Sequence, residues 1–211
     1  MNLVYFADIG SLNLYLDVAV TAITINFNNV VKLNEDQFYQ LCRDNPDIKF
    51  ERNANGELIV MPPTGGETGR RNAKLTARFV LWNEQTQLGE VFDSSTCFKL
   101  PNGSNRSPDV SWVELSRWNA LSLEQREKFP PIAPDFVLEL MSPSDSLSET
   151  QAKMEEYMNA GVRLGWLIER KTRSVEIYRQ GQLKEVLDSP ASLSGEDVLL
   201  GFTLDLQIIW I

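Results

Sequence analysis

Helical stripes, two-residue alternation and short runs that are apolar throughout succeed one another along the chain, and each predicts its own kind of element. Phe38, Leu41 and Cys42 form a stripe that predicts a helix from Asn34 to Asp44; Asn34 and Gln37 make a capping-box pair, and Pro46 stops it. Ile48 to Arg52 and Glu57 to Met61 read as a hairpin across Asn53-Ala54-Asn55-Gly56. After the breaker-rich loop Pro62 to Gly66, a long helix is expected from about Glu67 to Thr86, with Ala73, Ala77, Val80 and Leu81 on its buried side. Extended segments follow at Glu90 to Asp93, Thr96 to Leu100 and Ser107 to Val113, then a short capped helix from Ser122 to Lys128. A helix capped at Ser148 closes near Gly161. Val162 to Glu169, Ser174 to Tyr178 and Leu183 to Leu187 are expected strands, and the apolar tail from Val198 to Ile211 reads as strand-like.

One run stands out. Pro134 to Pro143 is almost wholly apolar, with turn residues at its ends, as in a strand buried on both faces. Strand alternation puts Asp135, Val137, Glu139 and Met141 on one face and Phe136, Leu138 and Leu140 on the other. Burying an ionised Glu139 costs several kcal/mol unless a cation, a metal or a proton answers it. Asp109, at the start of the Ser107 to Val113 strand, offers a second carboxylate on the face opposite Val110 and Trp112. Lys153 lies fourteen residues after Glu139, on the next helix.

An Asp at one strand start, a Glu inside a second strand and a Lys on the following helix resemble the PD-(D/E)XK restriction-endonuclease-like superfamily. Within it the chain is similar to the Uma-two family of putative restriction endonucleases, from roughly Val31 to Leu206. The likeness rests on Phe50-Glu51, Asn55-Gly56-Glu57-Leu58, Ser107-Pro108-Asp109-Val110, Val137-Leu138-Glu139-Leu140 and Ser142-Pro143-Ser144-Asp145. It continues through Lys153 to Tyr157, Ala160-Gly161-Val162 and Gly165-Trp166-Leu167-Ile168. The superfamily's usual lysine would fall on Met141; Lys153 matches the pattern in which that lysine stands on the helix. Glu169 departs from the usual Asp. The resemblance implies an α+β fold, a restriction-endonuclease-like mixed β-sheet flanked by helices. It also implies a catalytic set of Asp109, Glu139 and Lys153, with Asp109 and Glu139 as ligands of Mg²⁺ or Mn²⁺. Glu51 would join the acidic site by resemblance, although by pattern alone it reads equally well as an exposed hairpin carboxylate. DNA is the implied partner, and a homodimer the implied assembly.

Composition narrows the chemistry. With no histidine, the chain cannot use imidazole catalysis or histidine-bound zinc, which leaves carboxylates, lysines and hard cations. A formal charge of −9 means that any polyanion must be met by a local basic patch. Arg70, Lys74 and Arg78 recur every four residues, with Arg71 beside them; they read as a solvated helix face or as a backbone-phosphate rail. Cys42 and Cys97 are too few for a disulfide framework or a zinc site, and suit a reducing cytoplasm.

Residues 1–25 lack a clear stripe, a basic leader or a membrane-length apolar run; they read as a poorly packed N-terminal extension, or as an added edge strand, and the extension is taken here, with a single domain spanning 26–211. Two functional readings follow. One is a metal-dependent endonuclease hydrolysing phosphodiester bonds in DNA. The other is a catalytically silent nuclease-like module for dimerisation or partner binding, with Asp109, Glu139 and Lys153 as a buried ion network. Paired-carboxylate glycoside hydrolysis is a distant third, since it gives Lys153 no purpose.

Overall fold

The computed structural model describes residues 22–26 and 33–210 of the chain. Its first half contains β1 (Ile23–Ile25), α1 (Glu35–Asp44), β2 (Lys49–Arg52), β3 (Leu58–Met61), α2 (Gly66–Thr86) and β4 (Gly89–Asp93). Then come β5 (Phe98–Lys99), β6 (Asn105–Arg106), β7 (Val110–Glu114), α3 (Leu115–Asn119), α4 (Leu123–Glu127) and β8 (Phe136–Leu140). The last part holds α5 (Leu147–Asn159), β9 (Leu164–Glu169), β10 (Ser174–Arg179), β11 (Glu185–Asp188), β12 (Ser192–Ser194), β13 (Thr203–Asp205) and α6 (Gln207–Trp210).

The central six-stranded sheet runs β11-β10-β9-β8-β7-β4. Only β8 and β9 pair in parallel, with α5 as their crossover; the other neighbours are antiparallel. Every residue of β8 is buried, because both faces of the sheet are covered. Phe136, Leu138 and Leu140 pack with Leu75 and Phe79 of α2 and with Phe202, Leu204 and Ile209 from the C-terminal segment. Val137 and Met141 pack on the opposite face with Met154 and Tyr157 of α5. The alternation expected for this run is therefore the one found. A smaller sheet, β1-β3-β2-β6-β5, lies with α1 over a separate core of Phe38, Phe50, Leu58 and Cys97.

The helix caps follow the sequence chemistry. Asn34 with Gln37, and Ser122 with Gln125, form reciprocal capping boxes. The α5 cap is Ser146 rather than Ser148, its side chain accepting from Glu149 N. Gly165 on β9 lets α5 approach closely: a Cβ there would lie 2.6 Å from Met154 Cε and 3.0 Å from Met158 Cε.

Three expectations are corrected. The buried line of α2 is Thr68, Arg71, Leu75 and Phe79, whereas Ala73, Ala77, Val80 and Leu81 are exposed. Large side chains decide which face turns inward: Phe79 stacks on Phe136 and meets Phe202 with ring centroids 4.4 Å apart. The C-terminal tail is β13 followed by the short helix α6, not a continuous strand. Ile23–Ile25, assigned above to the extension, is an edge strand paired with β3. Residues 1–21 lie outside the described residues. Among the described residues, no helix is long and apolar enough to cross a membrane.

Candidate active site

Strand register brings the two expected carboxylates together. β7 and β8 pair with Val110 opposite Leu138, so the antiparallel ladder extended by one step sets Asp109 opposite Glu139. Asp109 is anchored from both sides: Oδ2 accepts from Leu140 N at 2.9 Å and Oδ1 from Asn72 Nδ2 at 2.8 Å. Glu139 receives Tyr157 Oη at 2.9 Å and Lys153 Nζ at 2.8 Å, both on Oε1. The helix spacing explains the convergence, since Lys153 and Tyr157 stand four residues apart on one side of α5.

Lys153 also reaches a third carboxylate, Glu51, from the smaller sheet. Its Nζ lies 3.0 Å from Glu51 Oε1, which Ser107 N meets at 3.1 Å. Arg106 Nη1 holds Glu51 Oε2 at 3.0 Å, and Arg106 Nε holds Glu156 Oε2 at 2.5 Å. Glu156 then ties α5 to the β2–β3 turn by accepting from Ala54 N at 3.0 Å. Glu51 is thus a buried, fully engaged residue, not an exposed hairpin carboxylate.

The electrostatics differ sharply between the two glutamates. Burial pushes the Glu51 carboxyl up, but Lys153 and Arg106 outweigh it and hold the group down to about 2. Burial pushes Glu139 up to about 7, because Lys153 only partly offsets it and Asp109 and Glu51 add repulsion. Asp109 is also raised, chiefly by burial, against the pull of Leu140 N and Lys153. Burial alone would lower Lys153, yet Glu139 and Glu51 more than reverse it and keep the ammonium charged. Burial pushes both thiols up, Cys42 to about 11 and Cys97 to about 12.

Glu139, Lys153, Glu51 and Arg106 line a cleft of about 770 Å³. Asp109 opens instead onto a groove of about 460 Å³ beside α2, bordered by Asn72, Thr76, Ser94 and Thr64.

The family model for putative restriction endonucleases named Uma2 matches residues 35–207. The chain belongs to the Uma2 family. Among solved structures, a putative nuclease of the DUF820 family from Anabaena variabilis has the same fold, with a TM-score of 0.71 and 22% identity. The match covers 84% of this chain and 97% of that one. No curated protein matches the chain.

In this Uma2 chain the four basic candidates separate. Arg71 is buried, donating from Nε to Ile209 O at 3.1 Å and from Nη1 to Glu67 Oε2 at 2.6 Å. It fastens α6 to α2. Arg70, Lys74 and Arg78 lie on the outer side of α2, and Arg70 pairs with Glu67. At 3.6 residues per turn, Arg70 and Lys74 each stand about 160° around the helix from Asn72, on a different face from the one that meets Asp109.

Arg106 and Asn72 carry no sequence signal as site residues. Arg106 belongs to a two-residue strand and finds Glu51 across 55 positions of sequence. Asn72 sits among arginines in a helix whose inward face the periodicity does not reveal. Its Oδ1 is buried without a hydrogen-bond partner. Among the described residues, no three His, Cys, Asp or Glu side chains gather into a set able to hold a metal ion. Two carboxylates, Asp109 and Glu139, are the number that a hard cation keeping most of its waters calls for, and Glu139 Oε2 takes no hydrogen bond among the described residues.

Proposed function

We propose that this protein is a Mg²⁺- or Mn²⁺-dependent nuclease that hydrolyses phosphodiester bonds in DNA. The observation that carries the reading is an unbalanced charge. Lys153 and Arg106 are both engaged by Glu51, and Arg106 also by Glu156. Among the described residues, Glu139 therefore has only a share in one ammonium, and Asp109 forms no ion pair. Two adjacent buried carboxylates so placed need a proton or a metal ion. A family of putative restriction endonucleases supports nuclease chemistry with DNA as substrate.

Asp109 and Glu139 would hold the ion, and Asn72 would fix the Asp109 carboxylate by its 2.8 Å hydrogen bond. When bound, the ion supplies Lewis acidity and a water of lowered pKa. Lys153 keeps its proton, so it acts as a positioned cation beside the scissile phosphate, offsetting negative charge that develops on its oxygens, and not as a base. Glu51 holds that ammonium in place. The cleft's described walls carry Glu51, Glu57, Glu139, Asp145, Glu149 and Glu156 against Arg106 and Lys153. DNA therefore gains little from the cleft's own field, and its binding depends on the divalent ion.

The silent-module reading draws on a specific observation too: Lys153 bridges Glu139 and Glu51, as a purely structural ion network would. Incubation of plasmid and single-stranded DNA with Mg²⁺ or Mn²⁺ separates the readings. Cleavage by the wild type, abolished in a folded Glu139→Gln variant, is expected. Absence of both cleavage and ion binding in folded wild type would establish the silent module.

A further inference from the structure

Resting on the metal-dependent reading above, we propose that Tyr157 is a positioning residue that restricts Glu139 to binding a cation through one oxygen, Oε2. Tyr157 is fully buried, and its ring is enclosed by the core beneath α5. Its hydroxyl donates to Glu139 Oε1 at 2.9 Å, the atom that also faces Lys153 Nζ at 2.8 Å. The same ammonium lies 5.8 Å from the centre of the Tyr157 ring. One carboxylate oxygen thus has two fixed donors, whereas Oε2 has no hydrogen bond among the described residues and Glu139 lines the open cleft.

The geometry has a consequence for ion choice. Mg²⁺ and Mn²⁺ accept a single carboxylate oxygen in an octahedron completed by waters, whereas Ca²⁺ readily takes both oxygens of one carboxylate. With Oε1 occupied, Glu139 cannot chelate. Removing the Tyr157 hydroxyl frees part of Oε1 and loosens the carboxylate's orientation. Loss of such an outer partner commonly weakens metal binding by about tenfold or more.

Calorimetric titration of Mn²⁺ and Ca²⁺ into wild type and Tyr157→Phe tests this. The variant's Mn²⁺ Kd should rise about tenfold, while Ca²⁺ weakens less, so that the preference for Mn²⁺ narrows. A crystal structure of the wild type soaked with Mn²⁺ should show Glu139 bound through Oε2 alone, with Tyr157 still on Oε1; this measurement needs no variant to fold. Glu139 bound through both oxygens would overturn the proposal. So would a Tyr157→Phe variant with unchanged melting temperature, an Mn²⁺ Kd within about twofold of wild type and an unaltered ion preference, which is the signature of a packing role. Failure of wild type to bind Mn²⁺ at all would instead remove the metal-dependent reading, and this inference with it.

Discussion

Replacing Glu139 by glutamine should change how stability depends on pH more than it changes stability at any one pH. In the ion-free protein the Glu139 carboxyl is raised from 4.5 to about 7 by burial. Between those values the folded state keeps a proton that the unfolded chain has released, so stability falls as pH rises through the window. A tenfold change in proton affinity is worth about 1.4 kcal/mol, so the full loss is about 3 kcal/mol, complete above the folded value. Glu51 acts at the other end: its depressed value gives stability that is present above about 4.5 and lost as pH falls toward about 2. The substituted amide cannot titrate, and removing the neighbouring charge also eases the repulsion on Asp109. Urea unfolding from pH 4.5 to 8, with EDTA present, should show wild type losing about 3 kcal/mol relative to Glu139→Gln. Parallel curves for the two proteins would refute the reasoning, as would wild-type stability that climbs across the window.

Mg²⁺ or Mn²⁺ should raise the melting temperature more at pH 8 than at pH 5, because the ion competes with the proton on Glu139; an equal or reversed shift would count against ligation there. Lys153→Ala should cost about 3–5 kcal/mol by leaving Glu51 and Glu139 without their shared ammonium, whereas unchanged denaturant midpoints would show that the ion contacts are unimportant to folding. Arg71→Ala should destabilise by about 2 kcal/mol through the lost hold on Ile209 O and Glu67, read by urea unfolding. Replacing Arg70, Lys74 and Arg78 together by Ala should leave the salt dependence of DNA binding unchanged; a fall of about 0.9 in slope per residue would mean that the ridge contacts phosphates after all.

The parts of the fold legible in the sequence are those whose signal is local. An apolar run with one carboxylate specifies a strand buried on both faces, and its alternation separates Phe136, Leu138 and Leu140 from Val137 and Met141 as the two cores do. Capping boxes locate the starts of α1 and α4. The facing of α2 is not legible, because an arginine on its inward line looks polar until Ile209 O and Glu67 are seen to receive it. Glu51 is ambiguous for a similar reason. Its partners Arg106 and Lys153 stand 55 and 102 positions away, and no periodicity records contacts between such distant segments.

Lys153 on the helix, with Met141 in the place of a strand lysine, makes α5 the element that assembles the site. Met141 is buried in the apolar core beneath α5, so an ammonium there would have to be desolvated among Val137 and Met154. The helix position brings one ammonium to Glu139 and Glu51 at once. Three residues of α5, at i, i+3 and i+4, then connect three different parts of the molecule. Lys153 joins Glu139 of the central sheet to Glu51 of the smaller one; Glu156 clasps Arg106 and the β2–β3 turn; Tyr157 fixes Glu139 from below. Beneath that turn, Gly165 of β9 leaves room for the tips of Met154 and Met158. All three contacts come from one turn of α5, so a displacement of that helix would move the ammonium, the Glu156 clasp and the tyrosine hydroxyl together, and the site responds as one unit.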